Sequence, residues 1–391
     1  DGPPRIPVRL GYRFHYRYDN GRMPPKSTSS RLDAILSPVS DGPHETPLDL
    51  RVTRQRATMK DISDQVGLSV ATVSRVLNGR PDVSKRTREL VLQAVRDAGP
   101  VPGGDRRTRA LSAPRTRLVG VTVPVVHHEY YATILNGIAE TLYENDFRLV
   151  LCPTRYEHVR ERSLVELLVH DASDGGVLIM PTESPDELVA LHQQGYPFVV
   201  VDPREELPAG IPTVASANVS GAKEAVDHLI ALGHRRIAAI TGPRELQSME
   251  SRLAGYGAAL AAVGILPEAE LMHRGNLDVP SGRAAASALL DLPERPTAIF
   301  AFNDNMAIGA LQAARERGLE VPRDLSVVGF DALDASLIVT PTLTTVRQPL
   351  EEMGRLAVRL LMSLLDGERT EATRIALATT IVVGESTAPP A

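Results

Sequence analysis

The residues best placed to act on a partner lie between Val70 and Asn78, in VATVSRVLN. If that stretch is helical, Val73 and Leu77 share one side while Ala71, Thr72, Arg75 and Asn78 share another, so a small, polar and cationic face is left outside. The major groove of duplex DNA admits such a helix and presents base edges with distinct donors and acceptors. Neighbouring residues supply what holds the face in place. Thr58 can cap a first helix, with Asp61 at the reciprocal capping position and Met59, Ile62 and Val66 at helical intervals. That helix is expected to end near Val66, where Gly67 makes the turn and Leu68 fills the angle. Ser69 then caps a second helix that Gly79 closes. A third helix from Ser84 offers Leu90, Val91, Ala94 and Val95 as a surface for the other two. Helical hairpins with solvated basic faces are common, but here caps, glycine and outward face all agree on a helix-turn-helix.

Charge is distributed to match. The 391 residues carry a formal net charge of −5, yet Arg51 to Leu118 holds fifteen Lys/Arg against six Asp/Glu, and residues 119–391 carry −15. A local basic segment on an acidic chain is the footprint of phosphate binding. The length suffices for two or three domains. Cys152 is the sole cysteine, so an internal disulfide and a cysteine metal cluster are both excluded. It reads as a core filler in a reducing compartment. An apolar run of about 18 residues and a secretory apolar core are both missing, which points to a cytoplasmic protein without a membrane span.

The stretch MKDISDQVGLSVATVSRVLNGRPDVSKRTRELVLQAVRDAG closely resembles the N-terminal domain of the LacI/GalR family of bacterial transcription regulators. Position for position, the resemblance implies that Val70, Ala71 and Arg75 face base edges while Thr72, Ser74 and Asn78 fix the helix on phosphates. Thr58 and Ser69 join them at the interface, and Arg75 is the expected guanine reader, since a guanidinium fork bonds O6 and N7 together. Between Gly99 and Leu118 lies PVPGGDRRTRALSAPRTR. Family members carry a hinge helix here that folds when a dimer meets its operator. In that register Arg109 runs along the minor-groove wall and Leu111 is the wedge that unstacks a base step. Gly103 and Gly104 would each cost about 1 kcal/mol inside a helix, so the hinge is expected to begin only at Arg106 or to bind less firmly.

From Leu118 the pattern changes to short apolar runs separated by amphipathic ones. LVGVTVP, FRLVLCP, GGVLIMP and PFVVVD read as buried strands, with helices near 130–145, 159–171 and 186–195. RRIAAITG, TAIFAFND and LSVVGFD repeat the motif, with helices near 249–264, 282–291 and 304–317. Such alternation predicts parallel sheets covered on both faces, hence two doubly wound α/β lobes. The resemblance implies the lobes of periplasmic sugar-binding proteins with a cleft between them. The expected organisation is a disordered extension over 1–57, or sequence upstream of the natural start; a helix-turn-helix domain over 58–99; a linker and hinge over 100–117; and a two-lobed ligand-binding and dimerisation domain over 118–391.

Open α/β sheets bind ligands beyond the carboxyl ends of their strands. Residues there include His127 and His128, Asp202, Thr241, Asn303, Asp304 and Asp331. By resemblance, Arg252 reaches the ligand, Asp304 is the acidic anchor for hydroxyls or ring nitrogens, and Tyr130 and Tyr131 form an aromatic pair at the cleft mouth. Asp202 and Asn303 complete the expected site. The alternatives are a surface salt bridge from Arg252 to Glu250, helix capping by Asp304, and core packing for at least one tyrosine. Ala217 stands where the family commonly has Asp, and Trp is absent from the chain. Sugar is the first expectation for the ligand, with a nucleobase, a smaller polyol or a sugar acid open; adjacent histidines would suit an anion only when protonated.

The expected function is a sequence-specific regulator, a repressor, that binds a near-palindromic operator as a homodimer under control of a small ligand. IVVGESTAPPA at the C-terminus offers no heptads for a tetramer bundle. The alternative is a sugar-binding module without a DNA role. No GxGxxG or P-loop follows a strand, and neither a nucleophile elbow nor metal-ligand spacing occurs, so no enzyme, cofactor or metal is expected.

Overall fold

The computed structural model describes residues 59–77, 83–98, 116–169, 173–367 and 374–391. Three short helices come first: α1 (Met59–Val66), α2 (Val70–Leu77) and α3 (Lys85–Ala98). Gly67, at φ +66°, ends α1, and Leu68 N donates to Ser63 O at 3.2 Å, the six-to-one bond of a Schellman turn. Ile62, Val73, Val76, Val91 and Ala94 form the small core, with Met59, Val66, Leu68 and Val83 packed around it. One expectation is corrected here: Leu90 is 50% exposed because α3 turns Val91 and Ala94 inward instead, while on α2 Val76, three residues from Val73, joins the core. The side chains of Leu77 and Val95, like all of Gly79, lie outside the described residues.

Two six-stranded sheets follow. The first, in order β11-β5-β4-β3-β1-β2, is wholly parallel. It is built from β1 (Leu118–Val123), β2 (Arg148–Pro153), β3 (Gly175–Ile179), β4 (Phe198–Val201), β5 (Thr213–Ser216) and β11 (Arg374–Leu377). Successive side chains go to opposite layers. Val177, Ile179, Val199 and Val201 pack with α4 (Glu129–Glu144) and α12 (Leu350–Leu365), while Leu178, Phe198 and Val200 pack with α5 (His158–Leu167) and α6 (Pro185–Gln193). α4 and α12 cross at Gly137 and Gly354, where a β-carbon on either would meet backbone of the other helix.

The second sheet runs β12-β10-β9-β8-β6-β7, parallel except for the β10–β12 pair. Its strands are β6 (Ile237–Thr241), β7 (Met272–Arg274), β8 (Ala298–Ala301), β9 (Ser326–Asp331), β10 (Thr344–Arg347) and β12 (Thr380–Val382). α7 (Asn218–Ala231), α8 (Gln247–Ala262), α9 (Val279–Leu290), α10 (Asp304–Glu316) and α11 (Asp334–Ile338) cover it. The two doubly wound lobes expected from the apolar runs are therefore present. The chain passes between sheets at Ala217, at Gln348-Pro349 and at Ala378-Thr379. No helix among the described residues is long and apolar enough to cross a membrane.

Candidate nucleic-acid interface and ligand cleft

The outward face of α2 is set by its first turn. Ser69 Oγ accepts from Thr72 N at 3.1 Å and bonds Thr72 Oγ1 at 2.9 Å, so Ser69 satisfies a backbone donor that the helix start leaves without a partner. With Val73 and Val76 buried, Val70, Ala71 and Arg75 are exposed and Thr72 and Ser74 half-buried. These residues form one continuous surface on a helix whose register its core fixes. Ser84 repeats the device on α3 by accepting from Thr87 N at 3.1 Å. Thr58, Asn78, Arg109 and Leu111 lie outside the described residues.

The second candidate site is where the two sheets' strand ends meet. Left-handed residues gather there: Arg155 and Tyr156 after β2, Met180 after β3, Asp202 after β4, and Asp331 and Ala332 at the end of β9. Strained backbone of this kind clusters at ligand clamps. From the first lobe, Tyr130 OH donates to Asp202 Oδ2 at 2.8 Å, and Tyr131 OH bonds Tyr156 OH at 3.0 Å, the Tyr130 and Tyr131 rings meeting edge-on at 5.2 Å. Tyr130 and Tyr131 are buried.

From the second lobe comes Arg252, 3% exposed. Its Nε donates to Asn218 Oδ1 at 2.9 Å, Nη1 donates to Phe302 O, and the guanidinium lies 3.7 Å from the Phe330 ring centre. Asp331 is 3.6 Å from Nη1. The surface pair with Glu250 is thus not formed; burial and Asp331 hold the guanidinium instead.

Asn303 and Asp304 behave differently from one another. Asn303, not Asp304, caps α10: its Oδ1 accepts from Met306 N at 2.9 Å while Nδ2 donates to Leu277 O at 3.0 Å. Asp304 has no exposed surface, and its oxygens accept from Thr345 Oγ1 at 2.5 Å and Leu333 N at 2.9 Å. It ties the loop after β9 to β10, which leaves the neighbouring carboxylate, Asp331, facing Arg252. Asp331 also accepts from Gln348 Nε2 at 2.6 Å, in the second passage between the sheets.

Arg252 therefore pairs with one buried carboxylate, Asp331, in its own lobe and acts on the charge of a second, Asp202, in the other. Burial pushes the Asp331 carboxyl up, with Arg252 opposing and Asp202 adding. Burial likewise raises Asp202, which Tyr130 and Arg252 draw back down. Further contacts join the lobes at the rim: Glu129 accepts from Asp334 N, His128 Nε2 lies 3.2 Å from Asn305 Nδ2, and Gln247 N donates to Arg204 O at 2.7 Å. His128 Nδ1 accepts from Tyr130 N, and burial holds that ring below its ordinary titration range, so it is a neutral cap. Asp331, Asn218 and Gln348 are the residues that sequence reasoning did not commit to. Their signal was place: a strand end and two passages between sheets.

Comparison with known proteins finds a family match for each of the two parts of the chain. Residues 58–102 match the model of bacterial regulatory proteins of the lacI family, and residues 226–387 match a periplasmic binding protein-like domain. The transcriptional repressor CytR of Escherichia coli K12 is 35% identical over 312 residues, covering 80% of this chain and 91% of CytR. The regulator CelR of Thermobifida fusca is 36% identical over 344 residues, covering 85% and 99%. A solved CelR–cellobiose complex aligns with TM-score 0.64 and 34% identity over 85% of this chain and all of that one. These relatives are transcriptional regulators rather than enzymes, and the alternative of a ligand-binding module with no DNA role gives way. The chain belongs to the LacI family of bacterial transcriptional regulators.

Proposed function

We propose that this regulator binds a near-palindromic operator as a homodimer and that a small hydroxyl-rich ligand, a sugar first among candidates, controls it from the cleft. The observation that carries this is Arg252, buried 3.6 Å from Asp331 and acting on the charge of Asp202 in the other lobe, because a ligand bonded there touches both lobes at once. Two carboxylates and Asn218 around one guanidinium call for a ligand rich in donors, and a neutral His128 offers an anion little. This lining favours a polyol over a sugar acid or a phosphate. Tyr130 and Tyr131 would flank the ligand, with Asn303 and Asp304 holding the second lobe's wall.

On the DNA side, Val70, Ala71 and Arg75 would meet base edges, and Thr58, Ser69, Thr72, Ser74 and Asn78 the backbone, with Arg109 and Leu111 in the minor groove. Two copies one helical turn apart require a two-fold operator. β2 is a sheet edge with Leu151 exposed, and Tyr143 and Val159 on flanking helices are exposed too, which suits burial against a second copy. A chain working on chromosomal DNA acts in the cytoplasm. The test is operator selection from random duplexes, then anisotropy with Arg75→Ala and Arg252→Ala variants in a thermal-shift-guided sugar panel. Arg75→Ala should lose sequence preference at a cost of about 1–3 kcal/mol and keep ligand binding. Arg252→Ala should do the reverse, and parallel loss of both activities in either variant refutes the assignment.

A further inference from the structure

Between α5 and α6 of the first lobe runs a groove of about 170 Å³. Val165, Val169, Ala190 and Leu191 make its apolar lining, and Glu183 enters it from the connection between β3 and α6. Both carboxyl oxygens of Glu183 are buried, and among the described residues no donor but its own backbone N–H approaches them. Glu161, in the first turn of α5 and 1% exposed, presses its charge on Glu183. One Glu161 oxygen accepts from Thr182 N at 2.9 Å and Oγ1 at 2.7 Å; the other is buried without a partner among the described residues.

Cations around the groove are engaged elsewhere. Arg162 holds Glu166 at 3.3 Å and Glu187 at 3.9 Å, and His158 lies between Glu187 at 3.3 Å and Thr182 O at 3.1 Å. Arg204 and Glu205 line a second cavity of about 20 Å³ that Glu183 also borders, and no ion pair joins Arg204 to Glu183 among the described residues. Leaving a buried carboxyl without partners is costly, and a cation bonded to it removes that cost. The apolar lining adds a second demand, for carbon attached to that cation. A cavity of about 150 Å³ holds benzene, so this one takes a ligand of roughly six heavy atoms.

We propose that the α5–α6 groove binds a short primary alkylammonium, its ammonium bonded to Glu183 and its carbon chain along Val165, Val169 and Leu191, independently of the cleft between the lobes. An ammonium brings three donors and no acceptor, which matches oxygens that no side chain serves. Burial, reinforced by Glu161, pushes the Glu183 carboxyl up to about 8, so binding near neutral pH expels its proton.

Calorimetric titration of the full chain with n-butylammonium chloride tests this. Saturable binding is expected, about tenfold tighter at pH 9 than at pH 7, because the ionised share of a carboxyl titrating near 8 grows by about that factor while the amine stays charged. At pH 7, about one proton should be released per ligand, read from heats in buffers of different ionisation enthalpy. n-Butanol, alike in shape and uncharged, should bind at least about tenfold more weakly, and Glu183→Gln should erase that preference. Equal affinity for butanol, an affinity that ignores pH, an unaltered Glu183→Gln variant, or no saturation by roughly 50 mM amine at pH 9 would each overturn the site. The comparison of ligands and pH in the unmutated chain decides the matter even if the variant does not fold.

Discussion

A buried guanidinium paired with Asp331 and acting on Asp202 makes Arg252 the residue on which cleft electrostatics turn. Replacing it with Met keeps an unbranched side chain near Phe330 while removing the charge, so Asp331 loses its ion-pair partner and Asp202 a nearby cation. Breaking a buried pair in this way costs about 3–5 kcal/mol when the carboxylates are ionised. Both carboxyls already titrate above their ordinary range because of burial, and losing Arg252 moves them higher still. Protonation relieves the penalty. The loss of stability in Arg252→Met should therefore be large at pH 8 and smaller at pH 5, read by urea unfolding; equal losses at the two pH values would assign the effect to packing. Glu183 gives a simpler titration. Its folded-state carboxyl lies near 8, above the 4.5 of an ordinary Glu, so the folded chain holds the extra proton. Its contribution is full below about 4.5 and is lost as pH rises through 8. Thermal unfolding of Glu183→Gln should show a shallower decline over that window than the unmutated chain, and identical declines would reject the assignment. Sequence could not separate Asp304 from Asp331. Both are acids at strand ends, and only the partners that the fold brings up, Thr345 and Leu333 to one and Arg252 and Gln348 to the other, tell a structural carboxylate from one facing the cleft.

Local signals governed what could be read at the level of elements. The cap at Ser69, the turn at Gly67 and the strands of β1, β3, β4, β6, β8 and β9 are each set by residues within a few positions, and their spacing announced them. Other elements depend on partners far along the chain. β10 carries buried Thr344 and Thr345, β11 is half-exposed on a sheet edge, and β12 is three residues long, so none has the apolar run of a central strand. α12 is amphipathic in sequence, but its return to the first lobe depends on the glycine crossing with α4. Two substitutions separate these cases. Ser69→Ala removes one cap bond from an eight-residue helix, a loss of about 1 kcal/mol that should raise hydrogen exchange in α2 while leaving the lobes' unfolding midpoint unchanged. Gly354→Val places side-chain carbon on the Ile134 carbonyl and should lower the lobes' midpoint instead. A shared response of both regions to either substitution would contradict this separation.

At the scale of the molecule, the lobes are joined by three short passages and held shut at the rim by Glu129, His128 and Arg204. Closure is therefore an equilibrium with identifiable contacts on one side of it. A ligand shifts that equilibrium only through its difference in affinity for the two states, and whatever it does to operator affinity the operator must do to ligand affinity by the same factor. Glu129→Ala tests the coupling without touching Arg252, Asp202 or Asp331. It removes the acceptor for Asp334 N and favours the open arrangement, so ligand affinity should fall. If closure is what reaches the DNA-binding helices, ligand-free operator affinity must change as well, by no more than the shift in the closed population permits. Titration of operator and ligand, each with and without the other, closes a thermodynamic square. A drop in ligand affinity with operator affinity untouched would mean that the Glu129 contact shuts a cleft with no mechanical link to the helix-turn-helix.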